Sequence, residues 1–132
     1  MEKINLKTSR RVELLDITAE VQQAVVKSKV DNGACFVFCP HTTAGLTINE
    51  NADPAVKDDM LNALNRLIPQ KAGYTHSEGN SDSHVKSSLF GPDLSIFIEN
   101  GTLILGQWQA VYFCESDGPR LREVWVKVVR ER

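Results

Sequence analysis

All three histidines of this chain, His41, His76 and His84, fall in two polar clusters. The first is His41–Pro54, HTTAGLTINENADP, with Thr42, Thr43, Thr47, Asn49, Glu50, Asn51 and Asp53. The second is His76–Ser88, HSEGNSDSHVKSS. Imidazoles serve two chemistries: a neutral nitrogen gives one lone pair to a metal ion, and an N–H donates to an anion. A metal centre needs two or three that converge. Spacing alone is a weak pointer here, because no helical H-E-x-x-H is present. Taken singly, each histidine reads as a surface or hydrogen-bonding residue. Three of three in polar clusters favour a joint site.

Around them stand groups that suit acid–base or phosphate work. Glu50, Asp82 and Glu115 lie near the histidine motifs and are candidates to orient an imidazole or act as a base. Taken separately, each reads equally well as a solvated or capping carboxylate. Lys86, Ser87 and Ser88 follow Ser83 within a turn or two of a short helix, where free N–H groups and hydroxyls suit a phosphate. Thr42 and Thr43 add hydroxyl donors. Helix packing is an equal alternative for the serines. Arg120 and Arg122 follow the Asp117-Gly118-Pro119 turn, and Arg120 can clamp an anion. Arg122 reads rather as a solvated strand end. Asn49 and Asn51 tie the loop to the backbone. Trp108 reads as core or interface.

These groups need a scaffold, and composition provides for one. The 132 residues include 42% hydrophobic and 24% charged residues, which fits one folded domain, 1–132. A formal net charge of −2 argues against bulk nucleic-acid binding. No apolar run is long enough to span a membrane, and the N-terminus has no signal-peptide core, so the expected compartment is the cytoplasm. Cys35, Cys39 and Cys114 lie in apolar runs and read as buried free thiols. Cys39, two residues before His41, is a remote metal-ligand alternative.

Ile4 and Leu6 alternate with polar neighbours, which predicts a first strand, with Val12–Ile17 as its antiparallel partner. Thr18 can cap a helix to about Lys29, ended by Asn32-Gly33. Ala34–Cys39 is a continuous apolar run and predicts a central strand covered on both faces. Ala44–Asn49 is the next strand. Asp53-Pro54 opens a helix whose stripe is Val56, Met60, Leu64 and Leu67, stopped by Pro69. Gln70–Asp82 is a long loop, and His84–Phe90 a short helix capped by Ser83 or Asp82. Leu94, Ile96 and Ile98 alternate before Asn100-Gly101, a type I′ hairpin signal. Thr102–Glu115 returns, bending at Gly106, and Leu121–Val129 closes the chain.

This order of elements gives α+β: antiparallel sheets with two main helices and a short third helix on one side. Trp108, Tyr112 and Trp125 in the closing strands suggest apolar rings on an outer sheet face, for which self-association is the simplest cover.

Four motifs carry more. HTTAGLTINENADP (41–54), GYTHSEGNSDSHVKSSLFGP (73–92), GQWQAVYFCE (106–115) and DGPR (117–120) resemble the YjbQ-like family in order and spacing, along almost the whole chain. Gln107 and Ser83 depart from the family pattern without removing a ligand or acid–base candidate. The resemblance implies a YjbQ-like α+β subunit, a homotrimer, and a pocket built on His41, His76 and His84. It implies a thiamine-phosphate synthase-type transferase, as a secondary activity, joining a pyrimidine-methyl diphosphate to a thiazole phosphate. Glu50, Asp82 and Lys86 are then the expected catalytic groups. Thr42, Thr43, Lys86, Ser87, Ser88 and Arg120 would hold substrate. The three histidines would hold a divalent ion, zinc first and magnesium for a diphosphate. The alternative is a non-catalytic trimeric binder of a nucleotide or other phosphorylated metabolite.

Overall fold

In the computed structural model, which describes residues 1–132, the chain runs β1 (Glu2–Lys7), β2 (Glu13–Asp16), α1 (Thr18–Ser28), β3 (Gly33–Phe38), β4 (Ala44–Glu50), α2 (Pro54–Leu67), α3 (Ser81–Phe90), β5 (Asp93–Glu99), β6 (Thr102–Leu103), β7 (Gln109–Glu115) and β8 (Leu121–Arg130). Five strands form one sheet in the order β1-β8-β3-β5-β6, and three form a second, β2-β7-β4. Every pairing is antiparallel. The α+β expectation holds.

The core lies between the two sheets. Cys35, Val37, Ile96, Ile98, Val124 and Val126 point inward from the first sheet, and Leu46, Val111 and Phe113 from the second. Each such side chain contributes about 1.5–3 kcal/mol by leaving water. Val21, Ala24 and Val25 join α1 to this core. The other face of the second sheet carries Leu14, Ala110, Tyr112 and Cys114, against which Met60 and Leu61 of α2 and Phe90 of α3 pack. All three cysteines are free and buried, and burial pushes the Cys35 thiol up to about 11.

Several local expectations change. β2 pairs with β7, not with β1, because the turn after β1 carries the chain into the second sheet. Thr18 does not cap α1 but is its first residue: Ile17 holds the N-cap position without a side-chain cap, and Asp16 accepts from the Thr18 N–H at 2.9 Å. α3 starts at Ser81, three residues earlier than expected. The return from the hairpin is two strands: β6 stays in the first sheet, and β7 enters the second. Asn100 and Gly101 have φ of 52° and 72°, as the hairpin turn requires.

β3 is central but covered on one face only. Phe36 and Phe38 project outward beside Phe97, Trp125 and Val129, and all but Trp125 are over 40% exposed. Of the three expected outer aromatics only Trp125 is on this face. Trp108 stands exposed in the β6–β7 connection, and Tyr112 is buried under α2. On the outer face Lys3, Lys7 and Lys127 lie on the β1–β8 side together with Glu123, and Asp93 and Glu99 lie on the β5 side.

Candidate functional site

Pro40 ends β3, and residues 41–43 lead into β4, where α3 docks. Gly45 allows the close approach: a Cβ there would lie 2.9 Å from both the Gly91 carbonyl oxygen and Phe90 Cβ. The Leu46 N–H donates to that carbonyl at 3.0 Å, and the Ser87 hydroxyl to the Thr42 carbonyl at 2.7 Å. A cleft of about 350 Å³ results, lined by His41, Thr42, Ala44, His84, Ser87, Ser88 and Pro92. Two expected histidines and three expected substrate residues thus meet in one place.

His41 is fixed by the backbone of β8. Its Nε2 lies 3.0 Å from the Glu123 carbonyl oxygen and 3.1 Å from the Glu123 nitrogen. Phe38 pairs with Trp125, so the ring occupies the place where β3 would have continued along β8. Burial and the nearby Arg122 charge lower the His41 pKa, partly offset by the Glu123 bond, and keep the ring neutral near pH 7. His76 meets His84 edge-on with centroids 5.5 Å apart, and its Nε2 is 3.8 Å from Glu78. The three imidazoles do not close on one point. No group of three or more His, Cys, Asp or Glu side chains is placed to hold an ion.

Lys86 is elsewhere. It is buried, donating to Asp82 at 3.2 Å and to Asn65 at 2.8 Å. Arg11 grips the same carboxylate through two bonds of 3.0 and 2.9 Å. Burial opposes ionisation of Asp82, but bonds from Arg11 and Lys86 outweigh it and lower its pKa. Asp82 and Lys86 therefore form an internal charge cluster and do not reach the cleft. Glu50 does not line it either; its carbonyl accepts from the Tyr112 hydroxyl at 3.0 Å at the end of β4. Arg120 folds back on Asp117 at 3.0 Å.

The largest departure is Arg122. Rather than a solvated strand end, it is buried, donating through Nε to Glu115 at 2.8 Å and through Nη2 to the Thr43 hydroxyl at 2.8 Å. Glu115 also accepts from Thr8 at 2.7 Å and from the N–H groups of Ser116 and Asp117, each at 3.1 Å. Thr43 is thus locked inside rather than offered to a ligand. A signal was present: Arg122 has the parity of Val124, Val126 and Val128, the inward face of β8. Thr8 and Arg11 had none, since their partners are over 70 residues away.

A second cleft, of about 390 Å³, lies on the other side of His41, lined by Asn5, Pro40, His41, Leu121, Arg122, Glu123 and Trp125. The His41 ring is the wall between the two.

The family described as "UPF0047 protein YjbQ-like" matches residues 2–131. A UPF0047 protein of Methanocaldococcus jannaschii is 51% identical over 130 residues, covering 98% of this chain and 94% of its own. The YugU protein of Bacillus subtilis is 46% identical, covering 98% of each. A crystal structure from Clostridium acetobutylicum superposes with a TM-score of 0.96 at 52% identity, covering 98% and 100%. It is described as an uncharacterized conserved protein, and a Sulfolobus solfataricus relative (TM-score 0.93, 31% identity) as of unknown function. The thiamine-phosphate synthase expectation is corrected on this finding: the matched relatives are described only as UPF0047 proteins or as uncharacterized, and none of these descriptions gives that activity. No helix is long and apolar enough to cross a membrane. By its motifs, its fold and these matches, the chain belongs to the UPF0047, YjbQ-like family.

Proposed function

We propose that the cleft between His41 and α3 holds the phosphoryl end of a small molecule, with the chain acting as a homotrimer. One observation carries this reading: two imidazoles and the hydroxyls of Thr42, Ser87 and Ser88 line a single cleft that contains no carboxylate. Imidazole N–H and hydroxyl groups donate to an anion without a fixed positive charge. Ser87 and Ser88 donate to backbone carbonyls beside the cleft, at 2.7 to 3.1 Å. Turning one outward exchanges a bond worth about 1 kcal/mol for one to a charged oxygen, which is stronger. Calorimetry with inorganic pyrophosphate tests the reading. Saturable binding, weakened at least tenfold by His84→Ala or Thr42→Ala, supports it; no binding by the wild-type protein removes it.

A divalent ion is the second reading, favoured by the neighbouring rings of His76 and His84. Two imidazoles are a weak site until ligand oxygens complete the shell. Zinc binding is therefore expected to strengthen when pyrophosphate is present. Equal zinc affinity with and without it counts against the second reading.

A further inference from the structure

His41 meets β8 through one nitrogen that two backbone groups share. Phe38 of β3 lies opposite Trp125, and in an antiparallel ladder the N–H and C=O of one residue face the same neighbour. Glu123 turns its N–H and C=O the same way as Trp125, toward the place where β3 has ended before Pro40. His41 Nε2 fills that place, 3.0 Å from the Glu123 oxygen and 3.1 Å from its nitrogen. In a neutral ring this nitrogen serves only one of them. Bare, it accepts from the N–H; protonated, it donates to the carbonyl, and Nδ1 takes the opposite role. Backbone N–H groups inside a protein are seldom left unpaired, whereas a carbonyl tolerates an unused lone pair. Nε2 therefore accepts from the Glu123 N–H, and Nδ1 carries the proton.

Nε2 is spent on β8, so the ring meets a ligand through Nδ1, which has no partner within the chain. Outside the exposed residues, Asn80 Oδ1 and Ser116 Oγ alone are both buried and unpaired, so Nδ1 is open to solvent. We infer that the site at His41 recognises tetrahedral oxyanions without a fixed acceptor, and takes a sulfuryl group as readily as a phosphoryl group. This rests on the phosphoryl-binding reading and widens its ligand class. At neutral pH and above, the dianion of inorganic phosphate keeps one P–O–H donor, and sulfate has none. A donor left unpaired in a desolvated site is costly. A fixed acceptor, such as a carboxylate or a bare imidazole nitrogen, would pair with that donor and select phosphate over sulfate. The cleft has no carboxylate, and the Glu123 N–H occupies the bare nitrogen of His41. The hydroxyls of Thr42, Ser87 and Ser88 turn to suit either anion, and no hydrogen bond fixes the tautomer of His84. These groups select neither ligand. The Glu123 N–H is the positioning group, because it decides what His41 offers.

Nitrogen NMR on the protein with 15N-labelled histidine tests both parts. Without ligand at pH 8, His41 is expected to show the Nδ1–H tautomer. Inorganic sulfate and inorganic phosphate are then titrated at pH 8, where both are dianions that differ by one proton. Both are expected to shift the His41 and His84 signals saturably, with dissociation constants within fivefold of each other. His41→Phe keeps a ring between the two clefts and removes Nδ1. Followed at His84, it is expected to weaken both anions by the same factor, at least fivefold, with unchanged circular dichroism. An Nε2–H tautomer of His41 overturns the inference. So does phosphate binding more than fivefold tighter than sulfate, or a folded His41→Phe that binds both as the wild type does. The two wild-type measurements decide the matter even where the variant fails to fold. Binding of phosphate or pyrophosphate without sulfate sinks this inference and leaves the phosphoryl reading standing; no binding of any of the three removes both.

Discussion

Arg122 and Glu115 face each other inside the molecule, the guanidinium Nε 2.8 Å from a carboxylate with almost no exposed surface. The pair joins β7 to β8, and through Thr43 it reaches the turn that presents His41 and Thr42. Removing one partner strands the other charge in a low-dielectric interior. Arg122→Ala is expected to cost about 3–5 kcal/mol. The denaturant midpoint measures this; a loss under 1 kcal/mol would show that water reaches Glu115 freely.

The same carboxylates make stability depend on acid. Glu115 and Asp82 both have folded pKa values below their ordinary ones: burial opposes the shift, and their cationic partners outweigh burial. The unfolded chain then binds protons more readily than the folded one. Their contribution is complete above the unfolded carboxylate range, about pH 4–5, and is lost as pH falls through the folded values. Thermal midpoints are expected to be flat from pH 7 to 5 and to drop below pH 4. Glu115→Gln is expected to be less stable at pH 7 and to flatten the acid limb.

Gly45 sets the width of the cleft. A methyl group there meets the Gly91 carbonyl and Phe90 at 2.9 Å, so α3 must move outward. Gly45→Ala is expected to cost about 1–3 kcal/mol. It is also expected to weaken pyrophosphate binding, because His84, Ser87 and Ser88 travel with α3. Unchanged stability and affinity would mean that α3 does not position the cleft.

Gly118 is packed as tightly for a different purpose. A Cβ there would overlap the Arg10 carbonyl oxygen and lie 2.8 Å from Glu115 Cγ. Its N–H donates to the Arg11 carbonyl at 2.9 Å. Gly118→Ala is expected to push the β7–β8 turn off the segment after β1 and lower the thermal midpoint by several degrees, on the order of 1–3 kcal/mol. Differential scanning calorimetry reads it directly.

Alternation and turn chemistry made much of the fold legible. Leu94, Ile96 and Ile98 marked β5, Asp53-Pro54 marked the start of α2, and Asn100-Gly101 marked the hairpin, because these features are set by neighbours in sequence. Motif resemblance implied a pocket on His41, His76 and His84, and Ser87 and Ser88 were marked by their place at the start of a helix; the structure brings His41, His84, Ser87 and Ser88 to one cleft that His76 does not line. By itself the sequence determined the α+β class, the element types, the family and the residue types of the cleft. Only the tertiary structure decided which charged groups face a ligand and which are buried. Arg122, Lys86 and Asp82 look alike as exposed or enclosed charges until their partners are known. Those partners lie as far as 79 residues away for Arg122–Thr43 and 71 for Arg11–Asp82. Local sequence cannot encode such distances, because a charge becomes stable inside only where the folded chain brings its counter-charge to it.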